Sequence, residues 1–162
     1  VCVFDCPEPT FRHQLSPEYK ANRAAMPEDL RPQIPMIRAL VEALGVPIVE
    51  LPGFEADDVL GTLARRAAAQ GLPAVIVSPD KDLLQLVDDA AGIQVLNNRD
   101  GEVWIDRAAV KERFGVWPEQ VVDLLTIQGD ASDNVKGVPG IGEKGARDLL
   151  ERFGTLAGVL AA

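Results

Sequence analysis

The stretch AVIVSPDKD at residues 74–82 decides the fold, because it joins an apolar run typical of a buried strand to an acidic helix start. The apolar part predicts a strand at residues 74–78, and the acidic part begins a short helix predicted at residues 80–87. The same order of strand and helix recurs before and after this stretch. Strands that alternate with helices favour an α/β fold whose sheet is mostly parallel.

The other predicted elements follow from apolar spacing and from glycines and prolines near their ends. The remaining strands are predicted at residues 1–5, 46–51, 93–96 and 102–105, and the remaining helices at residues 33–44, 55–70, 107–114 and 118–128. The first strand is apolar enough to be expected at the centre of a sheet, with neighbours on both sides. The dipeptide Asp100-Gly101 is typical of a hairpin turn.

The segment after residue 128 has no strand pattern, and helices are predicted there at residues 142–152 and 155–161. The sequence therefore predicts an α/β core at residues 1–128 and a helical C-terminal region at residues 129–162. A polar, proline-containing stretch at residues 6–32 is long for a loop, and loops of this length are usually functional or mobile.

The composition excludes several classes of protein. The 162 residues suit one domain with a small appendage, and 47% hydrophobic residues are enough for a core. No apolar run reaches the roughly 20 residues that a membrane helix needs, and Cys2 and Cys6 are too few for a disulfide scaffold. The 25 acidic residues exceed the 16 basic ones, which argues against binding nucleic acid through bulk charge. The sequence predicts a globular, cytoplasmic protein.

Eight acidic residues fall at the ends of predicted elements, in four sets. The sets are Asp5; Glu55, Asp57 and Asp58; Asp80 and Asp82; and Asp130 and Asp133. The carboxyl ends of parallel strands share one edge of a sheet, so the first three sets are expected to meet there. Each set taken singly also fits an ordinary capping or turn role. Together, clustered carboxylates with few His or Cys residues point to two Mg²⁺ or Mn²⁺ ions and to phosphoester chemistry.

The glycine-rich sequence GVPGIGEKG at residues 137–145 has three interpretations. It matches the pattern G-x-G-x-x-G, but a dinucleotide site needs a strand on each side, and none is predicted there. A P-loop fails because Glu143 stands where that motif needs a lysine. The third interpretation is a helix–hairpin–helix, in which backbone N–H groups and a helix N-terminus bind a phosphate. A plain tight turn is its alternative.

Several motifs occur in an order that resembles a known family. They are FD at residues 4–5, TFRH at 10–13, YKANR at 19–23, GFEADD at 53–58, SPDKD at 78–82, GDASDN at 129–134 and GIGEK at 140–144. The chain resembles the 5′-nuclease domain at the N-terminus of bacterial DNA polymerase I, in the flap endonuclease family. The resemblance covers almost the whole chain.

The resemblance implies a PIN-like α/β fold, with a mostly parallel sheet and flanking helices, followed by a helix–three-turn–helix. It implies that a bacterial, cytoplasmic monomer cleaves DNA phosphodiesters at a 5′ flap, a nick or a free 5′ end, without a membrane or a small-molecule cofactor. The eight carboxylates would hold two divalent cations, directly or through water. Residues 6–32 would form the arch through which the 5′ strand passes.

The resemblance also assigns basic and glycine residues. Lys20 and Arg23 would contact the scissile phosphate, and Arg12 lies in the same segment. Apart from the resemblance, Lys81 lies between two predicted ligands, Asp80 and Asp82, and would neutralise the phosphate or form a salt bridge to Asp80 or its neighbours. The residues that would hold duplex DNA, together with a monovalent cation at the hairpin, are Lys136, Gly137, Gly140, Gly142, Lys144 and Arg147.

The chain departs from the family pattern at its start, where the family has an earlier strand that ends in Asp. One metal-site carboxylate and one central strand are therefore expected to be missing. The alternatives are a free-standing 5′-3′ exonuclease, a catalytically impaired DNA-binding fragment and a PIN-type ribonuclease. His13 is expected to contact phosphate or to be exposed, rather than to act as a general base. Trp104 and Trp117 are expected in the core.

Overall fold

The computed structural model describes residues 1–99 and 101–162. The chain divides into two compact units, residues 1–60 and residues 61–162. Asp100, which was predicted to begin the hairpin turn, lies outside the described residues. The predicted division at residue 128 stays a prediction.

The first unit contains two short strands and two helices, and the start of a third helix that continues into the second unit. These elements are β1 (Cys2–Val3), α1 (Phe11–Leu15), α2 (Gln33–Ala43), β2 (Ile48–Val49) and α3 (Ala56–Ala69). The strands β1 and β2 are parallel, and Cys2 pairs with Ile48. The intervening residues include α2, so β1, α2 and β2 form one crossover of the kind that parallel strands require.

The helices α2 and α3 begin and end within two residues of their predicted bounds, but the burial of α2 differs from expectation. No residue of α2 is buried, and the apolar residues whose helical spacing predicted this helix include the exposed Leu40 and Leu44. Within the described residues, β1 pairs with β2 alone, not with neighbours on both sides. The stretch 6–32 is not a continuous loop, because α1 forms inside it.

The second unit holds the larger sheet and most of the helices. Its strands are β3 (Ala74–Val77), β4 (Ile93–Asn97), β5 (Val103–Ile105), β6 (Gly129–Asp130) and β7 (Val135–Lys136); its helices after α3 are α4 (Arg107–Phe114), α5 (Val121–Gln128), α6 (Glu143–Phe153) and α7 (Leu156–Leu160), with 3₁₀ helices at Lys81–Leu86 and Pro118–Gln120. The strands β3 and β4 are parallel, and β5 returns antiparallel to β4 as the predicted hairpin requires.

One face of the β3–β4–β5 sheet is buried and the other is open. Ile76, Val95 and Ile105 are buried on one face, whereas Val77 and Trp104 are exposed on the other. The apolar run at residues 74–78 suggested a strand buried on both faces, but only one face of this strand is buried. The prediction that both tryptophans lie in the core is wrong, because Trp104 is 54% exposed and Trp117 is 41% exposed.

The C-terminal part of the second unit packs α5 against α6. Leu124 and Ile127 of α5 and Leu150 of α6 are almost fully buried. The prediction of no strand after residue 128 is wrong, because β6 and β7 pair antiparallel there. Strands of two residues are too short for the alternation of apolar and polar residues that reveals a strand in sequence.

The mixed α/β architecture with a helical C-terminal part confirms the predicted fold class. Among the described residues, no helix combines the length and the apolar character that crossing a membrane would require.

Candidate active site

In the first unit, carboxylates gather at the N-terminus of α3. Glu55 precedes the helix, and its backbone N–H donates to Asp58 Oδ2 at 3.0 Å. Asp57 and Asp58 lie in the first turn of the helix. Asp5, just after β1, accepts a hydrogen bond on Oδ1 from the Ala56 backbone N–H at 2.7 Å. The unpaired N–H groups and the dipole of a helix N-terminus favour negative charge, which explains why this sequence places its carboxylates here.

Arg12 of α1 binds Asp58 through both ends of its guanidinium. The Nη1–Oδ2 distance is 2.6 Å and the Nη2–Oδ1 distance is 2.8 Å. The guanidinium also stacks 4.6 Å from the centre of the Phe11 ring. The hydrogen bond from Arg12 holds the pKa of Asp58 below its ordinary value. Arg12, predicted as a DNA contact, is thus a partner of a predicted metal ligand.

Tyr19 and Lys20 bind the other carboxylate, Glu55. The Tyr19 hydroxyl donates to Oε2 at 3.0 Å, and the Lys20 ammonium donates to Oε1 at 2.8 Å. Tyr19 is buried, and the side chains of Lys20 and Glu55 are only 18% and 12% exposed. The backbone of Lys20 has φ +54°, a left-handed conformation that non-glycine residues seldom adopt. Sequence reasoning assigned Lys20 and missed Tyr19, which stands beside it in the motif YKANR.

His13 holds the start of α1. Its Nδ1 accepts a hydrogen bond from the Thr10 backbone N–H at 3.1 Å, and its ring meets the Tyr19 ring edge-on at 5.4 Å. These contacts position α1, and with it Arg12. Arg23 lies in the turn that follows, where its backbone N–H donates to the Lys20 carbonyl at 3.0 Å.

In the second unit, Lys81 joins two predicted metal ligands. Its ammonium donates to Asp82 Oδ1 at 3.0 Å and to Asp130 Oδ2. Asp80 caps the 3₁₀ helix, because its Oδ1 accepts from the Asp82 backbone N–H at 2.9 Å. Of the two predicted roles for Lys81, the salt bridge is the one observed, and its partners are Asp82 and Asp130 rather than Asp80.

Burial and hydrogen bonding shift the pKa values around Lys81 in different directions. Burial raises the pKa of Asp82, and the hydrogen bond from Lys81 only partly offsets this. Burial also acts to raise the pKa of Asp130, but hydrogen bonds from Lys81 and Ser132 bring it below its ordinary value. Burial would lower the pKa of Lys81, yet its bonds to Asp130 and Asp82 raise it. Lys81 is therefore a firmly protonated counter-ion.

The loop that carries Asp130 and Asp133 is closed by backbone packing. A Cβ on Gly137 would lie 2.2 Å from the Gln128 carbonyl carbon, and one on Gly129 would lie 2.4 Å from the Gly137 nitrogen. The Val138 backbone N–H donates to the Ile127 carbonyl at 2.8 Å, which ties the end of the loop to α5. Gly137, predicted as a DNA contact, is required for this close approach.

The glycine hairpin after the loop leads into α6. The Ile141 backbone N–H donates to the Val138 carbonyl at 3.0 Å, and Gly140 has φ +84° at the position where such a turn needs glycine. Gly142 is the N-cap residue of α6, and Lys144 is exposed in its first turn. Arg147 pairs with Glu143 one turn away, and Lys136 is exposed on β7.

Each unit thus brings together part of the predicted set. The first unit gathers Asp5, Glu55 and Asp58 with Arg12 and Lys20, and the second gathers Asp80, Asp82 and Asp130 with Lys81. Convergence of all four sets stays a prediction. Within either unit, the described residues contain no group of three or more His, Cys, Asp or Glu residues arranged to hold a metal ion. The donors fit a hard divalent cation in kind, since they are all carboxylate oxygens.

Comparison with known proteins assigns the chain to a family. The family model described as "5′-3′ exonuclease, N-terminal resolvase-like domain" matches residues 1–115, and "5′-3′ exonuclease, C-terminal SAM fold" matches residues 116–162. The chain belongs to the 5′-3′ exonuclease family. This confirms the resemblance on which the sequence-based assignment rested.

The relatives of this chain carry two names. DNA polymerase I of Pseudomonas aeruginosa is 51% identical over 152 residues, which are 94% of this chain and 16% of that protein. The 5′-3′ exonuclease of Aquifex aeolicus is 41% identical over 160 residues, which are 99% of this chain and 54% of that protein. The chain therefore spans about half the length of one relative and about a sixth of the other.

Solved structures share the fold of this chain. The bacteriophage T5 flap endonuclease, in a pseudo-enzyme–product complex with DNA and metal ions, has a TM-score of 0.81 at 23% identity, covering 98% of this chain and 61% of that one. The catalytic core of Rad2 in complex with a DNA substrate has a TM-score of 0.60 at 19% identity, covering 96% of this chain and 48% of that one. At these identities the likeness concerns the fold alone.

Proposed function

We propose that the chain is the nuclease part of a bacterial DNA polymerase I and cleaves DNA phosphodiesters as a divalent-metal-dependent 5′-3′ exonuclease and flap endonuclease. The observation that carries the proposal is the set of carboxylates at the start of α3, which faces the cations Arg12 and Lys20 in a chain of the 5′-3′ exonuclease family. The DNA and metal ions named for the T5 enzyme, and the DNA named for Rad2, support the same substrate and cofactor class.

The charge of the first unit's site fits a divalent cation. Four carboxylates (Asp5, Glu55, Asp57 and Asp58) and the two cations Arg12 and Lys20 carry a formal charge of −2 together. Like charges at such close range repel strongly unless a cation lies among them. Mg²⁺ or Mn²⁺ would be held by these carboxylates. Bound divalent cations would supply the Lewis-acid chemistry of phosphodiester hydrolysis.

The chain's own cations would bind the substrate. Lys20 and Arg23 would neutralise the scissile phosphate, where negative charge builds up during the reaction. The N–H groups at the start of α6, next to Gly142 and Lys144, would bind the phosphate backbone of duplex DNA without reading its bases. The monovalent cation predicted at the hairpin belongs to this duplex contact.

A free-standing 5′-3′ exonuclease is the second candidate, and the relative of that name in Aquifex aeolicus favours it. The chemistry would be the same in both proteins, because they differ only in what accompanies the nuclease. We propose a cytoplasmic monomer in either case, and the bacterial relatives named DNA polymerase I support the proposed location.

Cleavage of a labelled flap DNA by the full-length protein tests the function. We expect Mg²⁺-dependent release of 5′ products, and a loss of at least about 100-fold in Asp80→Ala and Asp133→Ala. Glu112→Ala, which removes an exposed carboxylate on α4, is the control and should cleave normally. Full activity of either aspartate variant would overturn its assignment as a metal ligand.

Two further results separate the alternatives. Preferential cleavage of the matching RNA flap would favour a PIN-type ribonuclease. Binding of flap DNA with no cleavage at any Mg²⁺ or Mn²⁺ concentration would favour a non-catalytic DNA-binding protein and would overturn the proposed function.

A further inference from the structure

The carboxylates of α3 are already occupied by side chains of the same chain. Both oxygens of Asp58 accept from Arg12, and both oxygens of Glu55 accept, one from Tyr19 and the other from Lys20. A carboxylate that is bonded in this way has its oxygens directed at the donors. The described residues of the first unit include carboxylates of the kind that bind a metal ion, but no three of them are arranged to bind one. The hydrogen bonds to Asp58 and Glu55 explain this arrangement.

All three donors come from one segment that is distant in sequence from α3. Arg12 and Asp58 are 46 residues apart, and Lys20 and Glu55 are 35 residues apart. The segment has other contacts as well: the Phe11 backbone N–H donates to the Gly53 carbonyl at 2.9 Å, the Phe11 and Phe54 rings lie 5.6 Å apart, and Tyr19 is buried. The bonds that join it to the carboxylates of α3 include charge-assisted hydrogen bonds, in which one cation can replace another.

We propose that Arg12, Tyr19 and Lys20 form a latch on the carboxylates of α3, and that a divalent cation binds there by displacing the latch. The latch supplies counter-ions to Asp58 and Glu55 while no metal is bound. Metal binding then releases Arg12 and Lys20 from the helix, so that the same cations become available to a phosphate. The inference rests on the proposed function, because only a metal-dependent nuclease needs a cation at these carboxylates.

The latch predicts that removing its charge tightens metal binding. In Arg12→Gln, a divalent cation no longer competes with the guanidinium for Asp58. We expect Mn²⁺, titrated alone and followed by calorimetry, to bind about fivefold to tenfold more tightly than to the unsubstituted full-length protein, the scale of a charge-assisted bidentate pair. Arg12→Lys, which keeps the charge, should restore most of the competition.

A matched control lies in the same unit. Arg38 binds Glu50 through both ends of its guanidinium at 2.6 Å and 2.6 Å, with side chains 31% and 30% exposed, against 33% and 24% for Arg12 and Asp58. Glu50 is not among the predicted metal ligands. Arg38→Gln should therefore leave the Mn²⁺ affinity unchanged, which separates competition from a general effect of losing an arginine.

Hydrogen exchange gives a second readout that needs no catalysis. In the unsubstituted protein, saturating Mn²⁺ should speed backbone exchange in residues 10–23, because the latch opens.

Equal Mn²⁺ affinities in Arg12→Gln and Arg38→Gln, unchanged exchange at saturation, or no Mn²⁺ binding would each overturn the latch. The flap-cleavage assay tests the proposed function separately. Normal cleavage together with equal Mn²⁺ affinities in Arg12→Gln and Arg38→Gln would overturn only the latch. Tighter Mn²⁺ binding in Arg12→Gln without any cleavage of flap DNA would overturn only the proposed function.

Discussion

Residues 10–23 in the first unit and residues 129–137 in the second both carry candidate site residues, but different forces hold them. The first segment is attached through side-chain charges, with Arg12 on Asp58 and Lys20 on Glu55. The second is closed by its backbone, where the paired strands β6 and β7 bring Gly129 and Gly137 so close that neither has room for a side chain.

The difference separates a reversible attachment from a permanent one. Ion pairs weaken with salt and can exchange partners, so a segment held by them can release its cations to a ligand. A close backbone approach cannot exchange partners, because any opening breaks the packing itself. The carboxylate of Asp130 therefore lies on a loop closed by backbone packing, whereas Arg12 and Lys20 lie on a segment joined to α3 by ion pairs.

The largest expected effect comes from filling the space that closes the second segment. Gly137→Ala should destabilise the chain by about 3 kcal/mol, because its Cβ would meet the Gln128 backbone, which cannot move without disturbing the end of α5. Urea unfolding measures the change. Gly142→Ala is the matched control, since its Cβ meets nothing within 4 Å and should cost little. Equal costs for the two variants would contradict closure by backbone packing.

Lys81 provides a test of charge in the second unit. Lys81→Met leaves Asp82 and Asp130 without their shared cation, and the free energy of unfolding should fall by about 1 kcal/mol. The cost is smaller than for a fully buried group because Lys81 is partly exposed. Lys144→Met, at an exposed position of α6, serves as the control in the same urea experiment. A neutral Lys81→Met would mean that backbone packing alone fixes Asp130.

Salt should distinguish the two segments directly. Raising NaCl from 0.05 M to 1 M should speed backbone hydrogen exchange in residues 10–23 by about twofold to threefold, since screening weakens the pairs of Arg12 and Lys20. Residues 129–137 should be accelerated less, because the close backbone approach of Gly129 and Gly137 holds that loop as well as the ion pair of Asp130 with Lys81. The same acceleration in both segments would show that they are not held differently.

Local signals explain which elements were predictable. The helix α4 was predicted at its observed bounds because Asp106 caps its first turn, with Oδ1 accepting from the Ala109 N–H, and Gly115 ends it at φ +71°. The types and positions of the acidic residues were equally readable, since carboxylates at helix starts follow from capping. All eight were named from sequence, and the structure places seven of them in hydrogen-bonded or helix-start positions within their units.

Partners set by tertiary contact were not predictable. Nothing near Arg12 in the sequence indicates that its guanidinium binds Asp58, so it was assigned to DNA instead. Tyr19 has no local signature as a donor to Glu55. The exposed faces of α2 and of the β3–β4–β5 sheet were misjudged for the same reason: an apolar pattern tells which residues share a face and not what covers it.

The smallest expected effect on stability comes from an exposed ion pair that lies outside both segments. Arg107 and Glu119 form a bidentate pair at 2.9 Å and 3.0 Å, and the hydrogen bond from Arg107 lowers the pKa of Glu119. A lowered pKa means that the pair stabilises the fold above the unfolded value of about 4.3 and that this contribution disappears as the pH falls through the folded value.

Glu119→Gln should therefore lower Tm by about 1 °C at pH 7 and should not change Tm measurably at pH 3. The control Glu112→Gln should leave Tm unchanged at both pH values. A difference that grew as the pH fell would contradict the assigned sign. Because Glu119 is 59% exposed and Glu55 only 12% exposed, added salt should weaken the pair of Arg107 with Glu119 more than the pair of Lys20 with Glu55.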